Sequence, residues 1–310
     1  MAIAVIGAVF VDIKGFPLYQ YIPDGRNSGT VEIVHGGVAR NVAEDIGNLE
    51  LRPKFVSMVD DTPEGAAVLK KLNNHKVNTD YVISTPDGMG MWLAVFDETG
   101  DVAGSISKRP DTTELKKLIE EKGDEIFADC DGIIVEIDID KDIIKQVFQY
   151  AEKYNKKVYA VVANMSIASE RRDFVKQTEC FICNRQEAEM LFVESFEGMT
   201  PEEICNILHE KVVNADINSM IVTLGGQGAV YAGKNGEQGY IEADSVKVRD
   251  TTGAGDAFCA GAATGLIYGK SLHEAVQIGT KLATSVITIN DNTCPRFLPQ
   301  ELGLQIEPLS

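Results

Sequence analysis

The feature that most constrains the fold of this chain is the alternation of short apolar runs with longer segments of helical periodicity. Such alternation is typical of a parallel sheet whose strands are connected by helices. The predicted strands are Ala2–Ile6, Gly132–Ile137, Lys157–Val162, Cys180–Cys183 and Met220–Leu224. Between two of them, Lys141–Tyr154 has the spacing of a helix with one apolar face. The pattern predicts an α/β fold with a mainly parallel central sheet, and 310 residues suit a single domain over 1–310.

Two segments interrupt this alternation, residues 13–35 and residues 88–107, and both carry signals of β-hairpins rather than helices. In the second segment, Met89–Phe96 and Asp101–Ile106 flank the turn Asp-Glu-Thr-Gly100. Glycine stands there at a position where φ must be positive. We therefore predict two β insertions into the α/β domain.

Residues 250–261 read Asp-Thr-Thr-Gly-Ala-Gly-Asp-Ala-Phe-Cys-Ala-Gly, a glycine-rich turn that leads into a helix. The N–H groups of Gly253, Ala254 and Gly255 would point outward there, and the helix start adds partial positive charge, which suits a phosphate. Asp256 follows at once and would repel that phosphate, a cost that is explained if it takes a proton from an attacking hydroxyl. The motif alone leaves two interpretations open: a catalytic base beside an anion hole, or an ordinary acid in the first turn of a helix.

A second motif, Gly36-Gly37-Val-Ala-Arg-Asn41-Val-Ala, joins a pair of glycines to a helix. The helix would bury Val42 and Ile46, which leaves the Asn41 amide off the main apolar stripe. An amide there can donate to and accept from sugar hydroxyls, and the two glycines let the backbone approach a sugar ring. The alternative is a turn followed by an amphipathic helix without a ligand.

These two motifs resemble the signatures of the ribokinase family, the PfkB-type carbohydrate and nucleoside kinases. Three further segments match that family: Asp12 after the first strand and Gly7, Asn184 with Glu187 in Asn-Arg-Gln-Glu, and the loop Thr223-Leu-Gly-Gly-Gln-Gly228. The matches occur in the family's order and cover nearly the whole chain. The resemblance implies a ribokinase-like three-layer fold in which 13–35 and 88–107 form a small β-lid over the substrate, a lid that often also forms a homodimer contact.

The resemblance also assigns roles around the acceptor. It implies an ATP-dependent kinase with Asp256 as base and with an anion hole formed by the N–H groups of Gly253, Ala254 and Gly255. The residues that would bind the sugar or nucleoside are Asp12, Gly36, Gly37, Asn41 and Glu136. Glu136 follows the apolar run of its strand, at the edge where open α/β sheets bind ligands. An exposed acid at a strand end is the other interpretation of Glu136.

On the nucleotide side, the resemblance implies ATP and Mg²⁺ as cofactors. The residues that would contact the nucleotide are Asn184, Thr223, Gly225 and Gly228. Glu187 would hold Mg²⁺ through water, in agreement with the few protein ligands that this ion takes. Asn184 and Glu187 also have the spacing of a helix cap, and both roles can hold together. Asp250 lies where many relatives bind a monovalent cation such as K⁺.

Within the family, Gly7–Gly15 and Gly36–Glu44 are most similar to pseudouridine kinases, so pseudouridine is the first predicted acceptor. Three departures keep other acceptors open: Phe10 replaces an asparagine, Lys108-Arg109-Pro110 follows the lid hairpin, and Val161-Val-Ala-Asn164 follows the fourth strand. The alternatives are a ribokinase- or fructokinase-type sugar kinase, a non-catalytic sensor that binds a sugar or nucleoside, and a nucleotide-binding scaffold. Retention of the base and the anion hole argues against the sensor.

Composition limits the partners of the chain. The formal net charge of −18 argues against nucleic acid and anionic membranes, since their phosphates would be repelled. No stretch has the apolar length of a membrane span and the start lacks a basic segment, so we expect a cytoplasmic protein without a membrane partner. Cys180-Phe-Ile-Cys183 has the spacing of a metal or redox pair, but no second pair supports it, and reduced, buried thiols are the favoured interpretation.

Overall fold

The structure is a computed structural model that describes residues 2–305. In chain order its strands are β1 Ile3–Ile6, β2 Phe10–Pro17, β3 Gly29–Gly36, β4 Lys54–Val59, β5 Asn78–Ser84, β6 Gly90–Phe96, β7 Val102–Lys108, β8 Gly132–Glu136, β9 Lys157–Val161, β10 Cys180–Asn184, β11 Ser219–Thr223, β12 Ala229–Gly233 and β13 Gln238–Ile241. Its α-helices are α1 Val38–Asn48, α2 Pro63–Asn74, α3 Thr113–Phe127, α4 Lys141–Lys153, α5 Met165–Ala168, α6 Arg172–Val175, α7 Arg185–Phe192, α8 Pro201–Asn214, α9 Ala254–Ile267 and α10 Leu272–Ile287. None of the helices in the described range is long and apolar enough to cross a membrane.

Within the described chain, the larger sheet has nine strands in the order β13-β12-β11-β10-β9-β8-β1-β4-β5. The strands from β11 to β5 pair in parallel, whereas β12 and β13 form an antiparallel edge. The predicted mainly parallel sheet is confirmed. The five strands predicted from apolar runs are β1, β8, β9, β10 and β11, and each end differs from the prediction by one residue at most.

Helices cover both faces of this sheet, which gives the predicted three layers. One apolar cluster packs α3, α4, α7 and α8 against one face, and a second packs α1, α2, α9 and α10 against the other. Successive strand residues point to opposite faces. Cys183 accordingly lies in the first cluster and Cys180 in the second. Since the sheet separates the two thiols, they cannot form one metal or redox site, and they are the buried, free thiols that the sequence favours.

The smaller sheet has the order β3-β2-β6-β7, and we call these four strands the lid sheet. Both of its hairpins, β2–β3 and β6–β7, are antiparallel, and β2 joins β6 in parallel. The predicted β structure of both insertions is therefore confirmed, although the first hairpin begins earlier, at Phe10. Gly100, in the turn between β6 and β7, has the expected positive φ of 91°.

The lid sheet has two different faces. Strand alternation places Phe10 and Asp12 on the face that we call inner, and Trp92 lies beside Asp12 in the parallel register of β2 and β6. On the opposite, outer face, a row of apolar residues crosses all four strands in register: Ile33, Ile13, Leu93 and Ile106. Exposed apolar residues of this outer face are Val31 70%, Ile33 59%, Met91 42%, Leu93 41% and Ile106 70%. A contiguous exposed patch of this kind is typical of an interaction surface.

Candidate active site

Several of the candidate residues lie where strands of the larger sheet reach their carboxyl ends. Asn184 and Thr223 are register partners at the ends of β10 and β11, and Glu136 ends β8. Parallel strands bring their carboxyl ends to one edge of a sheet, which is where open α/β sheets bind ligands. The predicted nucleotide residues and Glu136 therefore share one edge.

The glycine-rich turn leads into α9 as predicted. Gly253 is its N-cap with a φ of 82°, and a Cβ there would collide with the Asn292 carbonyl, so only glycine allows this approach. The Ala254 N–H donates to the Thr251 carbonyl at 3.2 Å. The Gly255 N–H has no backbone acceptor among residues 2–305, and the space beside its Cα is open. The turn thus offers a free donor at a helix start, which suits a phosphate oxygen, while the Ala254 N–H is already engaged.

Asp256 lies half-buried in the first turn of α9 and contacts α1. The Asn41 Nδ2 donates to its Oδ2 at 2.6 Å. Burial raises the pKa of Asp256 to about 6, although the Asn41 hydrogen bond and the Arg40 charge lower it, and the negative charge of Asp12 raises it further. A carboxyl with this pKa is mostly ionised at neutral pH. Its pKa also lies near the operating pH, as is best for a general base. The catalytic role of Asp256 stays a prediction.

Helix α1, which carries Asn41, is buried along almost its whole length. This burial is compatible with the alternative of a turn followed by an amphipathic helix, and the ligand-binding role of the motif stays a prediction. Asn41 is itself buried, and its Oδ1 has no hydrogen-bond partner within the described residues. A buried amide oxygen without a donor is costly, so a ligand hydroxyl that donates to it would be stabilised.

Asp12 and the glycine pair adjoin each other at the base of the lid sheet. A Cβ on Gly36 would lie 2.5 Å from the Asp12 Oδ2, so Gly36 leaves room for this carboxylate. Gly37 has a φ of 99°, and a Cβ there would lie 2.6 Å from the Ala8 carbonyl oxygen. Burial raises the pKa of Asp12, while the charges of Lys14 and Arg40 lower it. Three of the predicted acceptor residues thus form one group.

Glu136 lies beneath the turn that follows β1. Its side chain is 2% exposed, and its Oε2 accepts the Ala8 N–H at 3.1 Å. Burial, together with the nearby Asp138 carboxylate, raises its pKa to about 8. The interpretation as an exposed acid is therefore wrong. A contact between Glu136 and the acceptor stays a prediction.

Asn184 and Glu187 form the capping box of α7. The Asn184 Oδ1 accepts the Glu187 N–H at 2.9 Å, and the Glu187 Oε2 accepts the Asn184 N–H at 2.7 Å. Burial raises the pKa of Glu187 to about 7, and the charges of Asp138 and Asp256 add to the rise. A cation beside Glu187 would stabilise its ionised form, and the carboxylate and amide oxygens of Glu187 and Asn184 are of the kind that Mg²⁺ prefers.

The segment Thr223–Gly228 leaves β11 through a 3₁₀ turn at Gly225–Gln227. Gly225 has a φ of 59°, and no atom occupies the space where its Cβ would stand. Gly228 has a φ of 100°, and a Cβ there would collide with the Ile241 carbonyl. The turn therefore requires glycine at both positions and leaves open space at one of them, as a nucleotide-contacting loop needs. Contact with a nucleotide stays a prediction.

Asp250 adjoins a cavity of about 320 Å³ that is also lined by Lys14 and Asn292. Its Oδ1 accepts the Thr252 N–H at 2.8 Å. Residues 2–305 contain no group of three or more His, Cys, Asp or Glu side chains arranged to hold a metal ion. A monovalent cation at Asp250 stays a prediction.

Two buried residues beside the site, Arg40 and Glu44, were not predicted from the sequence. Their side chains are 1% and 0% exposed, and they form an ion pair at 2.7 Å beside the residues described above. A signal was available, because two opposite charges stand four residues apart in a helix that follows a ligand motif. Exposed helices often carry such pairs, so the spacing alone does not identify a buried one.

Comparisons with known proteins show the family and the fold of the chain. The family model described as pfkB family carbohydrate kinase matches residues 2–293. The guanosine-inosine kinase of Exiguobacterium acetylicum is 34% identical over 292 residues, which cover 94% of this chain and 95% of that protein. The pseudouridine kinase of Escherichia coli K12 is 23% identical over 279 residues, 89% of this chain and 87% of that protein. The structure of Arabidopsis thaliana ribokinase complexed with ribose and ATP superposes with a TM-score of 0.80 at 20% identity, and covers 98% of this chain and 99% of that one.

Proposed function

The chain belongs to the pfkB family of carbohydrate kinases and is a phosphotransferase with an alcohol acceptor, and on this premise we propose that it phosphorylates a ribose hydroxyl of a nucleoside with ATP. The observation that carries the proposed mechanism is the Asn41–Asp256 hydrogen bond at 2.6 Å beside the start of α9. It puts a carboxylate, an amide and a helix N-terminus within one small space. That combination suits the transfer of a proton and of a phosphoryl group.

In the proposed reaction Asp256 takes the proton of the acceptor hydroxyl, whose oxygen attacks the γ-phosphorus of ATP. The bond from that phosphorus to the β,γ-bridging oxygen breaks, and ADP leaves. The free N–H of Gly255, with that of Gly253 beside it, would face the charge that builds on the transferring phosphoryl group, while the Ala254 N–H would have to leave the Thr251 carbonyl to join them. Asp12 and Asn41 would hold the acceptor hydroxyls and thereby place one of them near Asp256.

The proposal includes Mg²⁺ near Asn184 and Glu187, where the charges of Asp138 and Asp256 raise the pKa of Glu187. When bound, this ion neutralises charge on the phosphates of ATP. The loop from Thr223 to Gly228 would contact the nucleotide, and a K⁺ near Asp250 is a further part of the proposal. The free cysteines suit a reducing, cytoplasmic compartment.

A nucleoside is favoured over a free sugar by two independent observations. The guanosine-inosine kinase relative is 34% identical over nearly the full chain. In addition, Asp12 is flanked on the inner face by Phe10 two residues earlier and by Trp92 across the strand pair. Aromatic rings beside a ribose-binding carboxylate give a nucleobase a surface on which to stack. We therefore propose a purine nucleoside such as guanosine or inosine as the acceptor.

Pseudouridine is the second candidate acceptor. The specific observation in its favour is the segment Gly36–Glu44, which is most similar to pseudouridine kinases. The pseudouridine kinase relative is 23% identical, lower than the guanosine-inosine kinase. Both candidates present the same ribose to Asp12, so they differ in the base that the inner face must accept.

We also propose that the protein is a homodimer through the outer face of the lid sheet. The row Ile33–Ile13–Leu93–Ile106 runs across the whole sheet, and Ile33 and Ile106 are 59% and 70% exposed in one copy. A second copy would cover the same residues with an identical patch, as two-fold symmetry requires.

The experiment that tests the function is ADP release measured with guanosine, inosine, pseudouridine, uridine, ribose and fructose as acceptors. We expect kcat/KM for guanosine or inosine to exceed that for ribose by at least about tenfold, the worth of one stacking contact. The Asp256→Asn variant serves as control for contaminating kinases. Turnover of ribose or fructose alone would contradict the nucleoside proposal and leave the kinase intact. Binding of an acceptor without any turnover would identify the non-catalytic sensor.

A further inference from the structure

The guanidinium of Arg40 connects the base of the lid sheet to the catalytic side of α1. Its Nη2 donates to the His35 carbonyl, and its Nε donates to the Gly36 carbonyl at 3.3 Å. Both carbonyls belong to the end of β3. Gly36 in turn leaves the space that the Asp12 carboxylate occupies. One side chain thus fixes the strand end beside which Asp12 lies.

The third nitrogen of the Arg40 guanidinium contacts Glu44 rather than β3. The Arg40 Nη1 donates to the Glu44 Oε2 at 2.7 Å, and the Glu44 Oε1 accepts the Thr293 hydroxyl at 3.0 Å. Asn292, the residue before Thr293, donates from its Nδ2 to the His35 carbonyl at 3.0 Å. The Asn292 carbonyl packs against Gly253 at the start of α9. The pair therefore links β3 to the loop that supports the anion-binding turn.

Arg40 is not the only basic residue beside the Glu44 carboxylate. The Lys71 Nζ lies 3.1 Å from its Oε1, and the His75 Nε2 lies 3.7 Å from the same oxygen. Burial tends to raise the pKa of Glu44, but the charges of Arg40 and Lys71 outweigh burial and hold the pKa below its ordinary value. A variant without Arg40 would therefore leave Glu44 with the Lys71 ammonium as a partner and the His75 ring nearby.

The charge of Arg40 acts on two carboxylates of the proposed site. Arg40 precedes Asn41, whose amide contacts Asp256. The Arg40 Nε donates to the carbonyl of Gly36, which adjoins Asp12. Arg40 lowers the pKa of both carboxyls against the effect of burial. Asp12 on β2 raises the pKa of Asp256, and Asp256 in turn raises the pKa of three nearby acids: Asp45 on α1, Glu187 on α7 and Cys259 on α9. Among the described residues that shift the pKa of Asp256, Arg40 is the one cation, whereas Asp12 also has Lys14 beside it.

We propose that Arg40 is a positioning residue that holds the end of β3 and the loop at Asn292 in place and brings a positive charge close to Asp256. The inference rests on the proposed role of Asp256 as base. It assigns to Arg40 both a geometric and an electrostatic effect, and a neutral side chain of similar length would retain neither. Lysine would retain the charge and lose most of the fixed hydrogen bonds.

The test compares the pH dependence of kcat/KM in wild type, Arg40→Gln and Arg40→Lys, with guanosine and ATP. In the wild type we expect activity to fall below about pH 6, where Asp256 takes up a proton. Arg40→Gln should move this acid limb upward by about one pH unit, because an opposite charge nearby has been removed. Arg40→Lys should leave the limb in place and raise the KM of the acceptor. If breaking the ion pair prevents folding, the Arg40→Met/Glu44→Met double variant replaces it with apolar packing and should show the same upward shift.

An equal fall of kcat/KM at every pH in Arg40→Gln, with the limb unmoved, would overturn the electrostatic role. A limb displaced equally in Arg40→Gln and Arg40→Lys would also overturn it, because the charge would then not be the cause. Failure of the proposed function gives a different result: the wild type would lack an acid limb near pH 6, or Asp256→Asn would retain turnover.

Discussion

The side chains of Asn41 and Asp256 form a hydrogen bond of 2.6 Å although 215 positions separate them in the chain. The contact joins the helix that follows the glycine pair to the helix that follows the glycine-rich turn. It lowers the pKa of Asp256, which burial raises to about 6. The acceptor motif and the catalytic motif therefore share one hydrogen bond, and the chemistry of one depends on the other.

Asn41→Leu should raise the pKa of Asp256, because a donor to the ionised carboxylate is lost and burial remains. The sign follows directly: a base with a higher pKa is protonated over a wider range, so kcat/KM should fall most at low pH and recover as pH rises. The measurement is a profile of kcat/KM from about pH 5 to pH 9.

Asn48→Leu is the matched control for that profile, since it removes another buried amide from the same helix. The Asn48 Nδ2 donates to the Cys294 carbonyl at 2.7 Å, away from Asp256. We expect it to lower stability and to leave the acid limb where it is in the wild type. Identical limbs in the two variants would contradict the influence of Asn41 on Asp256.

Gly36→Ala should weaken acceptor binding as strongly as Asp12→Ala does. The added Cβ would lie 2.5 Å from the Asp12 Oδ2 and would displace the carboxylate. Each substrate hydroxyl left without its partner costs about 1–3 kcal/mol, so calorimetry should detect the loss. Gly104→Ala is the control within the lid sheet, because no atom lies within 4 Å of a Cβ there. Unchanged acceptor affinity in Gly36→Ala would show that Asp12 does not hold the acceptor from this position.

Ile106→Glu should convert the proposed dimer into a monomer, since it puts a charge into the exposed apolar row of the outer face. Ser105→Glu is the control, because the neighbouring residue of the same strand faces the inner side. Light scattering at several protein concentrations measures the mass of each variant. A wild-type protein that is monomeric at all of these concentrations would refute the dimer.

Much of the architecture could be predicted from the sequence because it depends on local patterns. Apolar runs give five of the nine strands that the larger sheet has within the described residues, whereas β4, β5, β12 and β13 were not predicted, and Gly100 marks the turn between β6 and β7 through its positive φ. The capping box of Asn184 and Glu187 is likewise local, since both bonds are made within four residues. Such signals do not depend on the rest of the fold.

The parts that the sequence left open depend on contacts between distant segments. The Asn41–Asp256 bond, the approach of the Asn292 carbonyl to Gly253 and the burial of Glu136 arise only when the elements pack. The same holds for Arg40, whose burial cannot be deduced from a helix pattern in which charged residues ordinarily face solvent. Tertiary packing decides which polar residues of a motif meet one another.

The measurement that tests the account most directly is the turnover of Asp256→Asn, read together with its affinity for ATP. Asparagine keeps the shape of the side chain but cannot take the acceptor proton, and it removes a negative charge that repels the phosphates. We expect kcat to fall by roughly 10²–10⁴-fold, the usual worth of general-base catalysis, while ATP binding is kept or slightly tighter. Turnover within a few-fold of the wild type would contradict the account, because Asp256 would then be only an acid in the first turn of α9.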